Sequence, residues 1–207
     1  MNRVVLCSVL SLATLATAEV FPWEGATVLT DKKGQTLSWT VTRVEGEVRI
    51  TGVHPKWVVE HRSKPDGTPL STVKKAGGNT TSVTYSADGA LVERTDASGK
   101  LSKTTIKENG LWDGDTLDVR LAGIAWSKGK KVEMRIVDVD SADGTVYPMV
   151  AEYVGEEKCG EAACNRVHLA LNDLRRMFAP SFEYRYATAP GAKYLQHDGD
   201  GLSFTAR

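Results

Sequence analysis

The sequence predicts a mostly-β (α+β) protein: a curved antiparallel sheet, a half-open barrel, wrapped around one helix at about residues 113–125. Three observations carry that expectation. Apolar and polar residues alternate with period two in one segment after another, the pattern of strands with one wet face. Turns in which Gly stands beside Asp, Ser or Gly, such as Asp88-Gly89 and Ser98-Gly99, separate these segments at hairpin spacing. One stretch, Asp113 to Ala125, instead places Leu117, Leu121 and Ile124 at i, i+4 and i+7, the spacing of a helical stripe.

Taken in order, the first strand falls near Ala26–Leu29. Leu37, Trp39 and Val41 then alternate with Ser38, Thr40 and Thr42. Glu45-Gly46 turns the chain into Val48 and Ile50, and His54-Pro55 separates these from the run that begins at Trp57, Val59 and His61. In KPDGTP (64–69) Pro65 pre-sets φ, Asp66 can bond its own backbone and Gly67 supplies positive φ. Strands follow at Leu70–Lys75, Thr80–Ala87, Ala90–Thr95 and Lys100–Lys107, with Thr, Ser and Lys expected on an outward, wet face. Asp113 and Asp115 stand where they can cap the free N–H groups at the start of the helix. Beyond it, Val132, Met134 and Ile136 alternate again, and Thr145–Val154 is apolar on both alternating sets, as in a central strand. Pro148 marks a bulge or strand start within that run, because it has no N–H to give. Further strands fall at Val167–Leu171, Phe182–Tyr186, Tyr194–Gln196 and Leu202–Phe204, the last after a DGDG turn.

Length and composition suit one domain: 207 residues, 41% hydrophobic and 25% charged. The 26 basic and 26 acidic residues balance, and no basic run or stripe points to nucleic acid or an anionic membrane surface as partner. The opening MNRVVLCSVLSLATLATA has the three parts of a secretory signal: Arg3, an apolar run Val4–Leu15, and Ala16-Thr17-Ala18 as cleavage site. The expected organisation is therefore a signal peptide at 1–18 and a single half-barrel domain at 19–207, exported to the periplasm. Cys7 leaves with the signal. Cys159 and Cys164 remain as an even pair in an oxidising compartment, and a disulfide between them pins a hairpin tip. The chain-entropy relation makes that bridge worth about 2 kcal/mol. A redox role would suit CxxC better than this CxxxxC spacing.

Local signatures of chemistry are sparse. His54, His61, His168 and His197 sit in four separate segments without metal-ligand spacing, and no GxSxG elbow or phosphate loop occurs. Asp138, Asp140 and Asp143 begin like a calcium loop, but Ala142 and Met149 stand where ligands are needed. No cofactor, metal or catalytic residue is expected. Asn79-Thr80-Thr81 matches a glycosylation sequon, relevant only in a host with that pathway. The aromatic residues are more suggestive. Trp39, Trp57, Tyr85, Tyr147, Tyr153, Phe182, Tyr184 and Tyr186 fall on strands, where they either fill a core or, with Leu117, Leu121 and Ile124, line a cavity between sheet and helix.

The segments VEHRSKPDGTPLSTVKKAGGNTTSVTYSADGALVERTDASGK (59–100), LWDGDTLDVRLAGIAW (111–126), GKKVEMRIVDVDSADGTVYPMVAEYVG (129–155) and FEYRYATAPGAKYLQHDGDG (182–201) resemble a family of uncharacterised bacterial periplasmic proteins. That family is similar in architecture to the lipoprotein-localisation-factor carriers. The resemblance spans roughly His54 to Gly201, lies in the rhythm of elements, and transfers no functional residue. It implies a half-open barrel that holds a helix and binds an acyl chain. Three readings stand: a non-enzymatic periplasmic protein that binds or carries a lipid-like ligand; an envelope scaffolding protein that engages a protein partner through a sheet edge or face; and a hydrolase with a site assembled by the fold. The sequence sets no oligomeric state.

Overall fold

Fifteen strands form one continuous sheet in the computed structural model, which describes residues 23–141, 143–177, 181–188, 194–199 and 202–206. The segment expected to be a signal peptide lies outside the described residues. The first eight strands are β1 (Gly25–Asp31), β2 (Thr36–Val44), β3 (Glu47–His54), β4 (Trp57–Ser63), β5 (Pro69–Ala76), β6 (Asn79–Ser86), β7 (Gly89–Thr95) and β8 (Leu101–Ile106). They make an antiparallel meander in which each strand pairs with the next. Turn chemistry explains the tight joins. Glu45 and Gly46 have φ of 51° and 81°, and Gly77 and Gly78 have φ of 55° and 82°, so both two-residue loops have the doubly positive φ of type I′ turns.

Next come β9 (Leu111–Asp113) and helix α1 (Leu117–Ala122). A second meander follows: β10 (Lys131–Val137), β11 (Val146–Cys159), β12 (Ala162–Leu171), β13 (Phe182–Ala187), β14 (Tyr194–Gly199) and β15 (Leu202–Ala206). A single 3₁₀ turn, Leu174–Met177, lies between β12 and β13. β15 pairs antiparallel with β1, Leu29 opposite Ala206 and Asp31 opposite Phe204, which joins the two meanders through backbone. At the far end β9 pairs parallel with β10. The sheet thus has β8 and β9 as its two margins, and no ladder joins them among the described residues.

Curvature brings the two halves face to face. The main core collects Leu29, Leu37, Trp39, Val41, Ile50 and Val59 from the first meander and Met149, Ala151, Val167, Leu169, Tyr184 and Tyr186 from the second. Leu117, Val119, Leu121 and Ala122 of α1 lie between them. Trp39 is 2% exposed, and its ring covers Gly52 so closely that a Cβ there would lie 2.3 Å from it. A second cluster packs Val83, Tyr85, Ala90, Val92 and Ile106 of β6–β8 on Leu111, Val137 and Val139. The loop from β10 to β11 rests on β8, since a Cβ on Gly144 would meet methyl groups of Thr104 and Ile106 at 3.2–3.4 Å.

Three details differ from the sequence reading. The helix is six residues long, because Leu111–Asp113 spend their backbone groups on a parallel ladder with Arg135–Val137, and Gly123 caps the helix after Ala122. Ile124 therefore lies past the helix, although it still packs against the main core. The irregularity in β11 is at Tyr153/Gly155, not at Pro148. Pro148 pairs with Arg135 of β10 just before the β12 ladder begins at Met149, so its missing N–H breaks nothing. Finally, Thr72, Lys74 and Thr81 point inward and are buried, although polar side chains were expected outward on these strands.

Candidate functional site

Those inward polar residues belong to a buried cluster where the open margin meets α1. Its hub is Asp113, 2% exposed at the end of β9. One carboxylate oxygen accepts from the Thr72 hydroxyl and, at 2.8 Å, from the Tyr85 hydroxyl. The other accepts from the Thr116 N–H and hydroxyl, both at 3.0 Å. Asp113 thus steadies the helix start through Thr116, the residue that precedes the first turn. His61 Nδ1 lies 2.8 Å from the Thr72 hydroxyl and 3.9 Å from Asp113. Burial, more than any neighbour, lowers the His61 pKa, so the imidazole is held neutral, with Asp113 opposing that shift and Arg120 assisting it. Burial and then the Asp113 charge raise the pKa of Tyr85.

One strand turn away, Lys74 Nζ donates to Asp115 and to Asp140, each at 2.7 Å. Burial disfavours this ammonium, yet the two carboxylates together hold its pKa above the ordinary lysine value. Asp115 is pushed up to about 7 by burial and by Asp113, against the pull of Lys74. Arg94 adds a hydrogen bond to the Asp140 carbonyl at 2.6 Å. Deeper in the core, burial raises Asp118 to about 7, and its own neighbour Val119 donates to it at 2.8 Å. The indole of Trp39 favours the Asp118 carboxylate more weakly and makes no hydrogen bond of good geometry. Arg120 stacks on Trp112, its guanidinium carbon 3.3 Å from the ring centre, and burial draws it down to about 10.

The aromatic and aliphatic residues singled out above separate into two places. Trp39, Leu117, Leu121, Tyr184 and Tyr186 are buried in the main core, with Trp57, Ile124, Tyr147, Tyr153 and Phe182 half-buried against it. Trp39 and Trp57 lie 6.0 Å apart, and Tyr184 stacks with Tyr186 at 6.1 Å. Tyr85 belongs to the second cluster and serves Asp113. Cys159 and Cys164 form the disulfide at the tip of the β11–β12 hairpin. A Glu157 carboxylate oxygen lies within 4.8 Å of both sulfurs, which the disulfide occupies. In the Asp138–Asp143 loop, Asp138 accepts from the N–H groups of Asp140 and Ser141 and Asp143 from the hydroxyl of Thr145, while Asp140 pairs with Lys74. A groove of about 800 Å³ lies away from α1, along Thr84–Leu91 and Thr105–Asn109.

Sequence reasoning missed Thr72, Lys74 and the hub role of Asp113, and it placed Asp115 as a helix cap, whereas Asp115 pairs with Lys74 and Asp113 alone receives the Thr116 N–H. The signal was present in β5, where Thr72 and Lys74 share one parity, but only the meeting with β9 gives that face its meaning.

No family model matches the chain, and no curated relative matches it. A crystal structure of a β-barrel-like protein from Brucella abortus, of a domain of unknown function (DUF1849), is similar with a TM-score of 0.52 and 10% identity. The match covers 88% of this chain and 93% of that one. At that identity the likeness is one of fold.

Proposed function

We propose that this protein is a non-enzymatic, exported carrier that takes a hydrophobic, lipid-like ligand between the curved sheet and α1. The observation that carries the reading is the make-up of the interior: a wall of strand-borne aromatics around a helix of only six residues. So short a helix has little stability of its own, so it stays in place by packing and by its polar ties at Thr116 and at Leu121, whose carbonyl accepts from the Trp126 indole at 2.9 Å. Because Leu117, Val119 and Leu121 are at most 5% exposed, a ligand enters by displacing them rather than by filling an existing void. Export to the periplasm and the architectural likeness to lipoprotein carriers belong to this proposal. Native mass spectrometry of protein isolated without detergent from its host tests it: a co-purifying lipid or acyl chain is expected, and ligand-free protein in every preparation overturns the reading.

A second reading, scaffolding through a sheet face, draws on one observation. Val28 and Val53 flank Ser38 across β1–β3, and each is 44% exposed. A stoichiometric protein partner in a pull-down, lost on Val53→Lys and free of lipid, would favour it.

A further inference from the structure

A buried guanidinium is costly unless acceptors surround it, so arginines withdrawn from water are normally paired. Arg120 is not. It lies flat on the Trp112 indole, its Nε is buried without a hydrogen-bond partner, and no carboxylate of the described residues comes within ion-pair distance of it. The acids that influence it are Asp66, in the β4–β5 turn, and Asp113. Neither forms an ion pair with it. Asp66 accepts from the Thr68 N–H at 2.8 Å, and both Asp113 oxygens are occupied by Thr72, Tyr85 and Thr116. The Tyr85 hydroxyl donates to Asp113, and His61 is neutral and turned to Thr72. What remains is a planar, part-buried cation whose face is fixed by an indole and whose Nε has no acceptor among the described residues. Trp112 itself packs against the main core, so this cation stands beside the apolar interior.

We propose that Arg120 anchors the head group of an anionic amphiphile, a carboxylate or phosphate ester bonded at the guanidinium edge while its chain lies among the core aromatics. A fork of parallel N–H donors suits a two-oxygen anion better than an ammonium does, and stacking pre-sets its plane. This inference rests on the carrier reading and narrows its ligand class.

The test uses the purified full chain with two probes of equal chain length, the fluorescent polyene fatty acid cis-parinaric acid and its uncharged alcohol, at pH 7.5 and moderate salt. The expected result is acid binding at least tenfold tighter than the alcohol, with Arg120→Gln removing that difference and leaving alcohol affinity within twofold. Arg120→Lys should recover only part of it, and circular dichroism of each variant establishes that it is folded. If acid and alcohol bind equally and Arg120→Gln changes neither, the anchor is overturned while the carrier reading stands. If neither probe binds the native protein at micromolar concentration, both fall. Should Arg120→Gln fail to fold, the acid-to-alcohol ratio of the native protein and its loss in Arg120→Lys decide the matter.

Discussion

The two joins that bring the meanders together are built on different principles. Between β1 and β15 the backbone does the work, through a three-pair antiparallel register at Leu29–Asp31. Across the gap between β8 and β9 no ladder forms among the described residues, and side chains make the connection: Thr72 and Tyr85 to Asp113, Lys74 to Asp115 and Asp140, Arg94 to the Asp140 carbonyl. A backbone ladder opens only if several adjacent bonds break together. A buried charge cluster depends on each member being present, because any carboxylate or ammonium left alone pays its full desolvation cost. The side-chain join is the one that can open locally, and it also holds the start of α1. One set of residues thereby holds both the helix start and the open margin of the sheet.

The most severe way to break this contrast is Asp113→Ala, which leaves the Thr72, Tyr85 and Thr116 donors buried without their acceptor. A loss of about 3–5 kcal/mol in urea unfolding is expected. A loss under 1 kcal/mol would show that the cluster does not hold the join. Asp118→Asn probes the helix from its other side and has a sign that depends on pH. The folded protein keeps Asp118 protonated up to about pH 7, whereas the unfolded chain releases that proton near the ordinary carboxyl value of 3.8. The native protein therefore loses stability from this group as pH rises from 4 to 7, by about 1.4 kcal/mol per unit at most, and the contribution is level above 7. Relative to the native protein, Asp118→Asn should gain about 2 kcal/mol between pH 5 and pH 7.5; urea midpoints at the two pH values measure it, and an unchanged difference refutes the assignment. His61 acts in the opposite direction, its stability being lost as pH falls below 6.5, but that part is common to both proteins and cancels.

On the backbone-built side, replacing Cys159 and Cys164 with serine should lower stability by about 2 kcal/mol through loop entropy, with amide exchange at β5 and β9 unaffected beyond the global change. Lys74→Met, the mildest of these changes, removes a buried cation from two carboxylates, one of them mostly exposed at Asp140. It should cost about 1–2 kcal/mol. Hydrogen exchange should speed up at β5, β9 and the start of α1 while the β1–β15 pairs keep their protection; uniform acceleration throughout would erase the distinction between the two joins.

Much of this was legible in the residues. Alternation in Leu37–Val41 and Val48–Ile50 corresponds to inward faces of β2 and β3, and Gly46 marks a turn because it takes a positive φ without steric cost, although Glu45 beside it adopts one too. Cys159 and Cys164 sit on opposite arms of one hairpin, so their bond followed from local spacing. The helix boundary was not legible. Leu111–Asp113 reads as the approach to a helix until β10, some twenty residues later, offers it a parallel ladder, and a non-local pairing leaves no mark in the local period. Lys74 gives the same lesson. A lysine next to Val73 on a strand looks solvated, and only the arrival of Asp115 and Asp140 from distant segments makes its burial tolerable.

The sequence by itself determined where most strands and turns lie, that one short segment is helical, and which two cysteines pair, because each of these depends on residues close along the chain. The tertiary structure alone decided that Asp113 is a hub, that Asp118 is a buried acid and that Arg120 lies on Trp112 with its Nε unpartnered among the described residues. These are electrostatic facts, and the energy of a charge depends on what surrounds it in space, which only the folded sheet brings together.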